Sequence, residues 1–316
     1  MVRIHAHAQT TLAEAVTLNG IGVHSGAPVS LTLHPTDANT GIVFLKTDAA
    51  SGRETEIRAD WRMVSATELC TAIGDASTGS VATIEHLMSA LMGLGVDNVL
   101  VEIDGAEVPI MDGSASDFVA AIDAVGLVAL GARRRYIKVL KPIRIESGAG
   151  FAELRPYEGR RFDVTIDFQA AVIGRQSMVT ELTADAYRRQ IARARTFGFV
   201  KDLEKLLPMG LCRGSSLENS VGLKDDRVLN PEGLRFVDEF VRHKTLDAIG
   251  DLALAGAPIL GAFRSYRGGH RMNFQTLQAL FADTSAWTLT DTVARREPVG
   301  ADIGLGAGAV FGPEVA

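Results

Sequence analysis

Residues 83–103 read TIEHLMSALMGLGVDNVLVEI, and the fold class turns on this stretch. Ile84, Leu87, Met88 and Leu91 recur at helical spacing, and Gly93 and Gly95 end the pattern. From Asn98 to Ile103 the residues change to a β-branched, strand-like run. A helix therefore feeds directly into a strand. Upstream, residues 10–46 hold short alternating runs such as Val29-Ser30-Leu31-Thr32-Leu33. Asn19-Gly20, Gly22 and Ser25-Gly26 divide these runs, which predicts a meander.

Downstream, Ser114 in MDGSASD (111–117) is placed to cap a helix with Asp117 three residues on, and Gly126 ends that helix. The chain then passes through Arg133-Arg134-Arg135. Strands are predicted over 136–145, 151–154 and 162–168, and helices over 184–194, 235–255 and 271–282. Residues 198–228 read as an insertion of shorter elements. Each half places strands first and helices after, which points to α+β rather than a doubly wound parallel sheet. The division falls near residue 131, giving units 1–131 and 132–316. No sequence repeat proves a duplication.

Composition narrows the function classes. The 316 residues are 47% hydrophobic and 22% charged, an ordinary globular mixture with no sign of disorder. Net charge is −6 and the cations are scattered, so no nucleic-acid partner is expected. Cys70 and Cys212 are too few for a disulfide framework and fit a reducing compartment. The N-terminus lacks the apolar core of a secretory signal. The longest strongly apolar run, residues 252–263, carries Pro258 and falls short of the ~20 residues that span a bilayer. The expectation is a cytoplasmic protein without stable membrane insertion.

GxxxxGK[ST], GxSxG, HExxH and GxGxxG are all absent. Seven histidines remain: His5, His7, His24, His34, His86, His243 and His270. His5 and His7 read as solvated side chains, and His34 as a strand-end surface residue. His243 lies in FVDEFVRHKTLDAIGDLAL (236–254), with Asp247 four residues on and so on the same helical face. Phe236, Phe240, Gly250 and Leu254 share that stripe, while Val241, Leu246, Ile249 and Leu252 cover the other sides. A helix apolar nearly all round is buried, and a buried carboxylate needs a partner.

The pair reads either as a surface His–Asp contact or as two metal ligands, for which His86 is the natural third. His86 reads either as a satisfied core residue or as that ligand. Glu85 beside it is a carboxylate placed to take a proton from water. His270 follows Gly268-Gly269 at a predicted helix start. Asp251, one turn beyond Asp247, can pair with it and hold it protonated as a general acid.

Together these segments resemble the UDP-3-O-acyl-N-acetylglucosamine deacetylase family. The resemblance rests on GIGVHSG (20–26), residues 83–98, EVPIMDGSASDF (107–118), ARTFGF (194–199), RVLNPEGLRF (227–236), RHKTLDAIGDL (242–252) and Gly269-His270. It implies two similar α+β domains, each a β-sheet with helices packed against it, and an active site in the cleft between them. It also implies Zn²⁺, with Fe²⁺ as an alternative, on His86, His243 and Asp247. In the implied roles Glu85 is general base, Thr196 and Lys244 stabilise the oxyanion, and His270 with Asp251 protonates the leaving amine.

The implied substrate is a small molecule, an acylated UDP-N-acetylglucosamine, taken by a monomer. Its acyl chain would lie against Phe199, Leu203, Leu206, Leu207 and Leu211, with Phe197 at the entrance. Asp167, Phe168 and Arg267 would meet the nucleotide. Arg271, Met272 and Phe274 stand where the family carries small and amide residues. Two other expectations compete with this one: a metal-dependent amidase for another N-acyl sugar, and a non-catalytic binding protein for an acylated sugar nucleotide.

Overall fold

Alternation in Pro28–His34 puts Val29, Leu31 and Leu33 on one buried face, and the strand pairs antiparallel with Val16–Ile21. On its other edge lies Val99–Ile103, the strand that follows helix α1 (Glu85–Leu94). Val99–Ile103 is parallel in turn to Ile42–Thr47, which pairs with Glu54–Arg58. The expected meander over 10–46 is thus split, because Val99, Val101 and Ile103 are wholly buried and take the centre of the five-stranded sheet. The computed structural model describes residues 7–47, 52–75 and 77–292; His5 and residues 293–316 lie outside the described residues.

The second half repeats this topology. Ile143–Ser147 and Gly150–Arg155 form a hairpin, and Arg160–Asp167 and Arg175–Glu181 form another. Between them runs Ile259–Tyr266, antiparallel to the first hairpin and parallel to the second, again preceded by a long helix. Tyr136–Val139 and Trp287–Thr290 extend the sheet to seven strands. A duplication that no sequence repeat betrays is therefore legible in strand order. The fold is α+β, as the order of strands and helices predicts.

Each half also carries an insertion at the equivalent place, between its second hairpin and its long helix. In the first half it is a three-stranded sheet of Val64–Ala66, Ala72–Asp75 and Gly79–Val81, which the sequence did not announce. In the second, Phe197–Phe199 runs parallel to Val221–Lys224, joined through a short helix, Val200–Leu206.

Several boundaries move. Helix α2 spans Ser116–Val125 with no side-chain cap; Ser114 instead donates to Asp112 and turns the preceding loop. Residues 136–145 are two strands, Tyr136–Val139 and Ile143–Ser147, interrupted at Pro142, which lacks an N–H for the ladder. Leu127–Arg133 is a strand paired with Ala8–Leu12, so that pairing runs through residue 131. The helix expected over 184–194 is one α-turn followed by a π-turn, Tyr187–Ile191. This widening seats the buried Tyr187 ring against Gly93, where a Cβ would lie 2.4 Å from the ring, and lets its hydroxyl donate to Ser89 at 3.0 Å.

Two further helices complete the second half: α3 (Glu239–Ala253) and α4 (His270–Ala282). α3 starts four residues later than expected because Glu239 is drawn inward. Its carboxylate accepts from the Arg195 side chain and from the backbone N–H groups of Arg195 and Arg235. α1 and α3 are equivalent in the two halves and pack directly on each other. At Gly250 the approach is so close that a Cβ would sit 2.0 Å from the Glu85 carbonyl oxygen. Leu87, Leu91, Leu246 and Ile249 are fully buried around this seam, each contributing about 1.5–3 kcal/mol by leaving water.

Candidate active site

The seam brings His86 from the first turn of α1 to His243 and Asp247 on α3. Their ligand-capable atoms all lie within 4.8 Å of one another, and all three residues are buried. The imidazole planes are perpendicular at 89°, with centroids 5.0 Å apart. His243 Nδ1 sits 3.0 Å from the Ala194 carbonyl, which can only accept, so Nδ1 carries the hydrogen and Nε2 presents its lone pair. That lone pair faces Asp247 Oδ1 at 3.3 Å, and His86 Nε2 lies 3.7 Å from the same oxygen.

Burial and the charge of His243 push His86 down to about 3, and burial likewise lowers His243. Burial alone would raise the Asp247 carboxyl, but His243, Lys244, His270 and His86 outweigh it and hold it well below the usual carboxylate range. Asp247 Oδ1 has no hydrogen-bond partner. A buried, unpartnered carboxylate oxygen faced by the lone pair of a neutral imidazole is unfavourable until a cation stands between them. The donor set, two imidazoles and a carboxylate, therefore fits a metal ion.

Glu85 opens α1 next to His86, and Thr83 just before it adopts a left-handed φ of 58°. Burial pushes the Glu85 carboxyl up to about 7 against the opposing charge of His270. Its Oε2 accepts from the Thr71 backbone N–H at 3.0 Å, while Oε1 lies 4.0 Å from His270 Nε2. Burial opposes the His270 charge, but Asp251 more than compensates at Nδ1, 2.9 Å away, and the imidazole rises to about 9. Burial also works against the Lys244 ammonium, yet Asp247 Oδ2 at 2.6 Å keeps it charged.

A pocket of about 180 Å³ joins seven of the eight residues given metal-binding or catalytic roles from sequence, six of them being Glu85, His86, Thr196, Lys244, Asp247 and His270. His243 also lines it, and Asp251 stands behind His270. A larger cavity of about 710 Å³ opens from Glu85, His86 and Thr196 and is walled by Phe168, Phe197, Phe199, Leu203 and Leu206. Phe197 stacks edge-on against Phe240 at 4.9 Å, which fixes the cavity's inner end.

Leu207 and Leu211 are not among the lining residues: the helix ends at Leu206, Leu207 is exposed beyond it, and Leu211 is half-buried outside the cavity. Asp167 and Arg267 line neither space. They form an ion pair of 3.2 Å where the interior strands Arg160–Asp167 and Ile259–Tyr266 end, with the Tyr266 hydroxyl donating to Asp167 at 2.5 Å. Sequence reading missed Thr71, the Ala194 carbonyl and Asn273. Each reaches the site from a segment whose local pattern says nothing about it.

A metal cradle, a carboxylate on one side and an imidazole on the other, beside a deep apolar cavity, outline a metal-dependent hydrolase. The chain belongs to the LpxC family, UDP-3-O-acyl N-acetylglycosamine deacetylase, whose model matches residues 9–282. Proteins from Brucella ovis, Brucella abortus and Brucella melitensis, each named UDP-3-O-acyl-N-acetylglucosamine deacetylase, are 49% identical to it over 284 residues, 90% of this chain and 98% of theirs. The family are hydrolases acting on an N-acetyl amide. Among the described residues no helix is long and apolar enough to cross a membrane.

Proposed function

We propose that this chain removes the N-acetyl group of UDP-3-O-(3-hydroxyacyl)-N-acetylglucosamine as a cytoplasmic, monomeric enzyme that uses Zn²⁺, with Fe²⁺ as the alternative. His86, His243 and Asp247 would hold the ion. It supplies Lewis acidity toward the amide carbonyl and toward water.

Glu85, with a carboxyl near neutrality, takes the proton from the attacking water. The Thr196 hydroxyl and Lys244 ammonium face the charge that develops on the carbonyl oxygen. His270, protonated through Asp251, delivers a proton from Nε2 to the departing amine. The acyl chain occupies the 710 Å³ cavity, at about 0.8 kcal/mol per buried CH₂. Asp167, Phe168 and Arg267 lie toward the nucleotide.

The observation that carries this proposal is the 4.0 Å approach of Glu85 and His270 beside the ligand triad, a base and an acid facing one pocket. The test is acetate release by purified protein before chelation, after chelation, and with Zn²⁺ restored. Turnover that leaves and returns with the metal is expected. No release at any acyl length from metallated protein would overturn the proposal.

A further inference from the structure

Thr71 uses all three of its polar groups at the seam. Its N–H donates to Glu85 Oε2 at 3.0 Å, and its carbonyl accepts from the Ile84 N–H at 3.3 Å, so the main chain brackets the start of α1. Its hydroxyl crosses to the other half of the chain and donates to Asp251 Oδ1 at 2.6 Å. Asn273, in the first turn of α4, donates from Nδ2 to Asp251 Oδ2 at 2.8 Å. Thr71 is 1% exposed and Asn273 3%, so neither bond exchanges readily with water.

The Asp251 carboxylate therefore has one oxygen taken by Thr71 and the other shared by Asn273 and His270 Nδ1. Two external donors leave the carboxylate as an acceptor toward the imidazole. The His270 hydrogen must then stay on Nδ1, and Nε2 is the nitrogen turned to Glu85 and the pocket. We propose that Thr71 and Asn273 are positioning residues for the deacetylation described above: they orient Asp251, and through it fix which nitrogen of His270 exchanges a proton with the substrate. Thr71 also ties the base to the acid's partner, because one residue holds Glu85 with its backbone and Asp251 with its side chain. This inference rests on the proposed function for its kinetic test but not for its spectroscopic one.

Thr71→Val keeps the shape and removes only the hydroxyl, and Thr71→Ser restores the donor. The Val variant is expected to lose ~10–100-fold in kcat with KM within about twofold, and Ser to recover to within about threefold. Asn273→Ala is expected to lose about tenfold in kcat in the same way. In ¹⁵N spectra of the imidazoles at alkaline pH, the His270 Nδ1–H population should fall in both the Val and the Ala variants.

A folded Val variant with wild-type kcat, or a loss that Ser does not relieve, would overturn the proposal. Should the Val variant show no cooperative melting, Asn273→Ala decides, and wild-type kcat there has the same force. If the wild-type chain releases no acetate, the functional proposal falls separately. The ¹⁵N signature then decides this one, an unchanged Nδ1–H signal in the folded variants overturning it.

Discussion

The two halves share one strand order and place their long helices at equivalent positions, yet α1 and α3 are equipped differently. α1 is ten residues long and turns its first two, Glu85 and His86, to the pocket before becoming apolar packing. α3 is fifteen residues long and carries His243, Lys244, Asp247 and Asp251 along two turns of its middle. The insertions have diverged as well. That of the first half supplies Thr71, a fastening, while that of the second supplies Phe199, Leu203 and Leu206, a cavity wall. A duplicated scaffold has thus divided a single pocket so that neither half holds all three of His86, His243 and Asp247.

The largest expected effect breaks the ligand set on the α3 side. Asp247→Ala or His243→Ala should cost acetate release at least about a thousandfold and leave protein that loses metal on desalting, read by elemental analysis. Retained stoichiometric metal would show that the side chain removed is not needed to hold the ion. Glu85→Gln on α1 should cost ~10²–10⁴-fold in kcat while metal content is unchanged, which separates the two jobs of that helix.

A third effect sharpens the comparison through pH. Burial works against the His270 charge, but Asp251, Glu85 and Asp247 face it with negative charge, and the imidazole is raised to about 9. Since this lies above the ordinary histidine value, the fold favours the protonated form. Its contribution to stability is complete below about pH 6.5 and fades as pH rises through about 9. The kcat profile should accordingly fall on an alkaline limb near 9, and Asp251→Asn should carry that limb to lower pH. An unmoved limb would assign it to another group.

Smallest is the cavity wall. Leu203→Ala or Leu206→Ala should raise KM about three- to tenfold for long acyl substrates and leave short ones unaffected, measured across a chain-length series.

Much of this site was legible because it is written in helical spacing. His243 and Asp247 stand four apart on a helix too apolar to be exposed, Asp251 follows one turn later, and Glu85 adjoins His86. Position along a helix fixes direction, so such groups declare one another locally. Thr71 and Asp251 are 180 residues apart in sequence, and Asn273 meets the same carboxylate from another helix; no local pattern encodes a bond across the seam. The same limit governs the fold. The 64–81 sheet is built of strands of three or four residues, too short for alternation to register. Val99–Ile103 was recognised as a strand, but its place between two hairpins is decided by burial, a tertiary preference.

Gly250 meets the carbonyl of Glu85 with no room for a methyl group. The gap between Glu85 on α1 and His243 and Asp247 on α3 is therefore gauged by main chain pressed on main chain, like the jaws of a caliper closed on their stop, and no rotamer can take up slack. One half of the molecule cannot be retuned without the other. A chimera that joins halves from relatives differing at this contact should fold each half well and still measure the substrate wrongly.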